Sequence, residues 1–345
     1  MKLENTNSET ENNAENLQYS LYENIKSRDI KKLKKMLHEV SDRIDINQPD
    51  WNGSGNAPIL DVTLQGDVEM VRILCENGCD INARTLRGET TLHVAVSCKE
   101  FNIELIDLLL SNGCNPDIQD NLGRQTALHM FIKKHVFFTQ LNDDVQNVFQ
   151  TLAKTTNVNI ADQWDANPNL QNDRGETALH EALENNNEAA AEILIAANTN
   201  LYLETKYKET PLHIAARKNM DNIVPLLLAH GSPINAQDLY GNTALHLAAS
   251  KGYKEVVRFL VENDKIQLNV SNKEGLTPLH LAVESGFIYT VEILLKADSC
   301  DLTARTKRCE TALDLAQQDY RRRSQPEMTE VLSRELQRRS CGKSL

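Results

Sequence analysis

Nine histidines and seven cysteines are the side chains here that could act as metal ligands, proton shuttles or thiol nucleophiles. Six of the histidines stand at one fixed spacing from a threonine. Thr90–His93, Thr126–His129, Thr177–His180, Thr210–His213, Thr243–His246 and Thr277–His280 all read Thr-x-Leu-His. Histidines recurring once per repeat fall in a row and share no ligand cluster. His180-Glu181 begins a zinc-protease pattern, but Glu184 occupies the place of its second histidine. Cys75 and Cys79 lie one helical turn apart with no partner His or Cys at zinc-site spacing. Cys79 and Cys114 follow Gly78 and Gly113 in one equivalent slot, where a small side chain suffices for packing. Gly53-Ser54-Gly55 lacks the third glycine and the preceding strand of a dinucleotide fingerprint. Neither a phosphate-binding Walker loop nor a Gly-x-Ser-x-Gly elbow occurs. The expectation is a chain with no catalytic residue, cofactor or metal, and so not an enzyme.

Composition narrows the class. The net charge of −12 opposes non-specific nucleic-acid binding, which depends on neutralising phosphates. No apolar run approaches the roughly 18 residues of a membrane span, so membrane insertion is not expected. Residues 1–17 are acidic and Asn-rich, without the apolar stretch of a secretory signal, and read as a disordered tail. An odd number of irregularly spaced cysteines argues against a disulfide framework and for a reducing compartment. A cytoplasmic monomer, compatible with the nucleus, is the expectation.

The elements that must carry these residues repeat. From Leu60 to Asp314, both in the motif-histidine slot, successive spacings are 33, 36, 51, 33, 33, 34 and 34. In the clearest copy, Asp238–Ser271, Gly241 allows a tight turn, Thr243 caps a first helix and Gly252 ends it in a left-handed conformation. Ala248 and Ala249 permit close helix approach, and Val256, Val257, Leu260 and Val261 give a second helix its buried face. Pro211 and Pro278 stand where a helix tolerates proline best. A short extended stretch is expected after each pair, as at Asp80-Ile81-Asn82 and Pro233-Ile234-Asn235.

This 33-residue period with Thr-x-Leu-His resembles the ankyrin-repeat family over about residues 18–339. The resemblance implies an all-α solenoid of helix-turn-helix units with β-hairpin finger loops. Nine repeats are expected, two of them degenerate caps, followed by a short tail at 340–345. It also implies that each motif histidine bonds to neighbouring backbone and steadies its turn. Leu21, Ile25, Asp29, Leu33, Met36 and Leu37 trace the first cap, with Lys31, Lys32, Lys34 and Lys35 on its outer side. The spacing of 51 marks an insertion within 133–167, which carries Phe137, Phe138 and Trp164.

Such solenoids bind protein partners along a concave side made of finger tips and first helices. Leu122, Arg174, Tyr207, Tyr240 and Glu274 precede the finger glycine slot. Arg217, Lys218 and Lys251 follow motif helices beside the two tyrosines. Tyr and Arg dominate interface energetics, so these eight are the candidate partner-binding residues, with Tyr207 and Tyr240 at their centre. Asn82 and Asn235 look like the asparagines hydroxylated in some ankyrin proteins, with an ordinary turn role as the alternative. Ser324 and Ser340 follow arginines as basic-directed kinase sites do. The functional expectation is an adaptor or scaffold for partner proteins of unspecified identity. Alternatives are an NF-κB inhibitor-like regulator, a substrate-recruiting subunit, or a microbial or viral effector. The first lacks an Asp-Ser-Gly phosphodegron and has a basic instead of an acidic tail.

Overall fold

The computed structural model describes residues 16–98, 102–134, 167–323 and 326–341. Within them the chain divides into two compact units, 1–173 and 174–345. The insertion residues Phe137, Phe138 and Trp164, and the candidate site Ser324, lie outside the described residues.

The first unit runs α1 (16–26), α2 (Ile30–Val40), a 3-10 turn (Ser41–Arg43), α3 (Pro58–Gln65), α4 (Val68–Glu76), α5 (Thr91–Ser97), α6 (Ile103–Ser111) and α7 (Ala127–Lys134). Helices α3, α5 and α7 stack in one row, and α2, α4 and α6 in a second. The second unit continues with α8 (Ala178–Glu184), α9 (Glu188–Ala196), α10 (Pro211–Arg217), α11 (Ile223–Ala229), α12 (Ala244–Lys251), α13 (Lys254–Val261), α14 (Pro278–Glu284), α15 (Ile288–Lys296), α16 (Ala312–Arg323) and α17 (Pro326–Cys341). Here α8, α10, α12, α14 and α16 form the first-helix row, and α9, α11, α13, α15 and α17 the second. The fold is an all-α ankyrin-type solenoid, and among the described residues α1 and the eight helices of the two first-helix rows make nine first helices.

Small residues allow this stacking. Ala215, Ala216, Ala248, Ala249 and Ala282 are fully buried on first helices, where a larger side chain would push neighbouring rows apart. Second helices supply the bulk, as Val256, Val257 and Leu260 do on α13. Gly252 ends α12 at φ +71°, and a Cβ there would stand 2.4 Å from the Phe287 ring. In the first cap, Asp29 accepts from Lys32 N–H at 3.0 Å, while Leu21, Ile25, Leu33 and Leu37 are buried. Its Lys31, Lys32, Lys34 and Lys35 are exposed.

The structure differs from the sequence reading in three places. The segments after each helix pair are turns, not extended stretches; Ala83 N–H donates to Asp80 C=O, and Ala236 N–H to Pro233 C=O. In the first of them Asn82 N–H is taken within the turn by Asp80 Oδ1 at 3.0 Å, and the side chains of Asn82 and Asn235 bond to the following repeat. The fingers likewise carry no named strand among the described residues, only an isolated bridge between Arg84 and Thr90. At the C-terminus, α17 runs through Ser340 to Cys341, so helix replaces the start of the expected tail.

Candidate protein-binding face

The motif histidine and threonine form one reciprocal cap in every complete copy. In α12, Thr243 N–H donates to His246 Nδ1 at 3.1 Å, and the Thr243 hydroxyl lies 2.8 Å from the same nitrogen. His246 N–H returns to Thr243 Oγ1 at 3.4 Å. Because Nδ1 accepts from a backbone amide, the ring proton sits on Nε2, which faces Leu276 C=O in the next finger at 3.1 Å. His93, His180 and His213 reach the Gln125, Glu209 and Asn242 carbonyls in the same way, and His280 reaches Ala304 C=O, ahead of the last finger. The motif histidine is thus a cross-repeat staple that also caps its helix. Burial pushes His246 down to about 4, and the same cause lowers His93, His213 and His280. Asp314 occupies this slot in the first turn of α16 and accepts from both Thr311 N–H and Oγ1 at 2.8 Å. A carboxylate supplies the cap but has no proton to give a following finger.

The fingers are fixed at both ends. The first residue of each loop closes it: Thr205 N–H donates to Glu209 C=O, and Asp238 N–H to Asn242 C=O. The same side chains collect amides inside the loop, Asp238 Oδ1 from Tyr240 and Asn242 at 2.8 Å each, and Thr205 Oγ1 from Tyr207 at 3.2 Å. Neighbouring tips are then tied by backbone: Leu239 N–H to Tyr207 C=O at 2.7 Å, Lys273 N–H to Tyr240 C=O at 2.9 Å, and Lys206 N–H to Arg174 C=O at 2.9 Å. Gly241 is required for this proximity, since at φ +79° an added Cβ would come within 2.8 Å of Lys273 N. Tyr207 and Tyr240 therefore have both backbone groups engaged while their rings stand 59% and 62% exposed.

The candidate residues fall into distinct surroundings. Tyr240 and Glu274 line a hollow of about 320 Å³ with Leu247, Leu276, Leu281 and Glu284, against α12 and α14. Lys251 is exposed at the end of α12. Arg217 and Lys218 are half-buried: Arg217 pairs with Glu184 and with Glu209 at 3.2 Å, and Lys218 with Glu184 at 3.2 Å. They knit α8 to α10 and stand behind the finger tips. Arg174 opens the second unit, its carbonyl held by Lys206.

In the first unit Leu122 is 68% exposed, but it is not the counterpart of Tyr207 or Tyr240. That finger holds one more residue, and its left-handed position is Arg124 (φ +54°), not Gly123. Gly123 C=O, instead of Leu122 C=O, takes the bond from Asp173 N–H at 2.8 Å. Leu86, 82% exposed, is a tip residue that counting back from the glycine passes over. Leu239 and the finger lysines stand outside that count likewise. The periodic Thr, Asp or Asn that opens each finger, Thr85, Thr205, Asp238, Asn272 and Thr306, is the sequence signal that would have delimited the loops.

Asn82 and Asn235 act between repeats. Asn82 Oδ1 accepts from Asn115 N–H at 2.8 Å and Nδ2 donates to Gly113 C=O at 3.2 Å; Asn235 does the same with Gln267 N–H and Lys265 C=O, at 2.8 Å each. Tyr202 holds the same slot in the repeat before that of Asn235, its hydroxyl donating to Gly231 C=O at 3.0 Å. Ser340 Oγ donates to Leu336 C=O at 2.7 Å within α17. Cys75 and Cys79 face each other with sulfurs 3.9 Å apart; this contact lowers the Cys75 thiol and raises that of Cys79. No cluster of His, Cys, Asp and Glu able to hold a metal occurs among the described residues. None of their helices is long and apolar enough to cross a membrane.

A helix-pair repeat with capped motif histidines and stacked fingers defines an interaction module. The ankyrin-repeat family model matches residues 21–120, 137–238 and 232–306, and the chain belongs to that family. The E3 ubiquitin-protein ligase XBAT33 of Arabidopsis thaliana is 38% identical over 77 residues, 22% of this chain and 15% of that protein. An ankyrin repeat protein of fowlpox virus, FPV031, is 34% identical over 158 residues, 46% of this chain and 42% of its own length. A serine/threonine-protein kinase of Dictyostelium discoideum is 29% identical over 170 residues, 48% of this chain and 18% of the kinase. The chain thus spans less than half the length of each of these relatives. Ankyrin repeats in general mediate protein–protein interaction.

Proposed function

We propose that this chain is a protein-binding adaptor, working in the cytoplasm or nucleus, that holds its partner on the finger and first-helix face of the second unit. The observation that carries this reading is the mounting of Tyr207 and Tyr240. Each ring is exposed, yet each backbone N–H and C=O is already bonded, so little loop entropy is lost when a partner covers it. Exposed tyrosines on a rigid edge contribute nothing to the core and match the residue types that dominate binding energies. The hollow beside Tyr240, floored by Leu247, Leu276 and Leu281, offers an apolar seat on the same face.

The test is affinity capture with the whole chain and with the Tyr207→Ala/Tyr240→Ala pair, read by quantitative mass spectrometry. The variant should keep its helical circular dichroism and lose the proteins enriched by the wild type. Retention of the same proteins at the same level would refute this face.

A further inference from the structure

The finger edge of the second unit carries charge opposite to that of the chain. Lys206 and Lys208 flank Tyr207, Lys273 follows Tyr240 across a backbone bond, and Lys307 and Arg308 form the tip beyond Glu274. All five cations are exposed, and none has an ion pair among the described residues. Elsewhere in this unit Arg217 and Lys218 pair with Glu184, Arg258 with Glu255 and Arg338 with Glu335, while Lys251, Lys265 and Lys296 are exposed singly, without an ion pair among the described residues. Glu274 is the one carboxylate at these tip positions, in a protein of net charge −12. Neither folding nor solubility calls for a cationic row there, because an acidic surface already keeps the chain in solution.

The row is also shaped. Between two fingers, Lys208, Leu239, Asn272 and Lys273 help line a notch of about 370 Å³, with a lysine on each side. Tyr240 and Lys273 border the hollow on the other side, where Leu247, Leu276 and Leu281 supply apolar lining beside Glu274 and Glu284. Charge and apolar seats therefore alternate along one edge whose tips are held in register by main-chain bonds.

The geometry points to an acidic, extended segment of a partner protein as the occupant of this edge, its carboxylates on Lys206, Lys208, Lys273, Lys307 and Arg308 and an aliphatic or aromatic side chain in the hollow beside Tyr240. The inference rests on the reading that this face docks proteins, and adds the chemistry of the partner. Extended chain fits because the tips are spaced along a line, and because alternating side chains of such a segment reach a charged rim and an apolar floor in turn.

The test uses a random dodecapeptide library displayed on phage, selected on the whole protein and on a Lys206→Glu/Lys273→Glu/Lys307→Glu variant, with anisotropy titration of the selected peptides. Wild-type selection should enrich Asp and Glu around a Leu, Ile or aromatic residue. The triple reversal should weaken those peptides by about tenfold or more, and raising the salt should weaken them for the wild type. Neutral or basic winners, or affinities unmoved by the reversal, would overturn the inference. Equal, charge-dependent binding of anionic vesicles or single-stranded DNA would overturn it too, in favour of a general anion surface. If Tyr207→Ala/Tyr240→Ala abolishes partner capture while the charge reversal leaves it intact, the docking face stands and only the acidic partner falls. If neither variant changes capture, the face itself is wrong.

Discussion

Acid should unlock the histidine staples, and His246 lets the effect be worked through. Folding buries its ring and requires Nδ1 to accept from Thr243 N–H, so only the neutral Nε2–H form satisfies both ends of the bond network. Its folded value is pushed down to about 4 from an ordinary 6.5. A histidine with a lowered folded value adds stability that is complete above about pH 6.5 and is lost as the pH falls towards 4. The stake is about 3 kcal/mol, most of it gone by about pH 4.5. His246→Gln removes this titration. Glutamine can still accept from the capped amide, but it does not reach Leu276 C=O, so at about pH 7.5 the variant should be less stable by about 1–2 kcal/mol. At about pH 4.5 the order should reverse, because the wild type alone has lost its neutral staple. Urea denaturation followed by circular dichroism at the two pH values measures this, with His93, His213 and His280 common to both proteins. A variant that loses as much stability on acidification as the wild type would refute the staple as the origin of acid sensitivity.

Three further variants test particular contacts and backbone positions. Gly241→Ala should cost about 2 kcal/mol or more, from the positive φ and the 2.8 Å approach to Lys273 N, and should lower the thermal midpoint; Cys309→Gly at φ +61° should instead leave it unchanged or raise it slightly. Arg339 joins α17 to the end of α15, donating to Leu295 C=O at 2.8 Å and Ala297 C=O at 3.2 Å, to Cys300 C=O, and to Glu335 at 2.7 Å. Arg339→Ala should cost about 2–3 kcal/mol locally and speed hydrogen exchange in 288–296 and 326–341, leaving 205–276 protected; uniform exchange in both regions would count against a local clamp.

Much of this was legible in the chain itself. Thr243, His246, Gly252 and the Ala248-Ala249 pair state a capped helix of small residues, and their recurrence states how many helices stack and in what order. Those properties depend on bonds within a few residues, which periodicity reports directly. The partners of the staples were legible only by family resemblance, since the atom facing His246 Nε2 is thirty residues away in sequence, at Leu276. The site was harder to read. Counting back from the glycine found Tyr207 and Tyr240, and failed at Leu122, because one additional residue moves the left-handed position to Arg124. Arg217 and Lys218 read as candidate partner-binding residues beside the tyrosines, and only packing of α8 against α10 commits them to Glu184 and Glu209. The sequence alone determined the repeat, its helices and its caps, because these arise from local spacing. Tertiary structure decided which cations lie unpaired along the finger edge and which tips align, because pairing between repeats depends on distances that no single repeat contains.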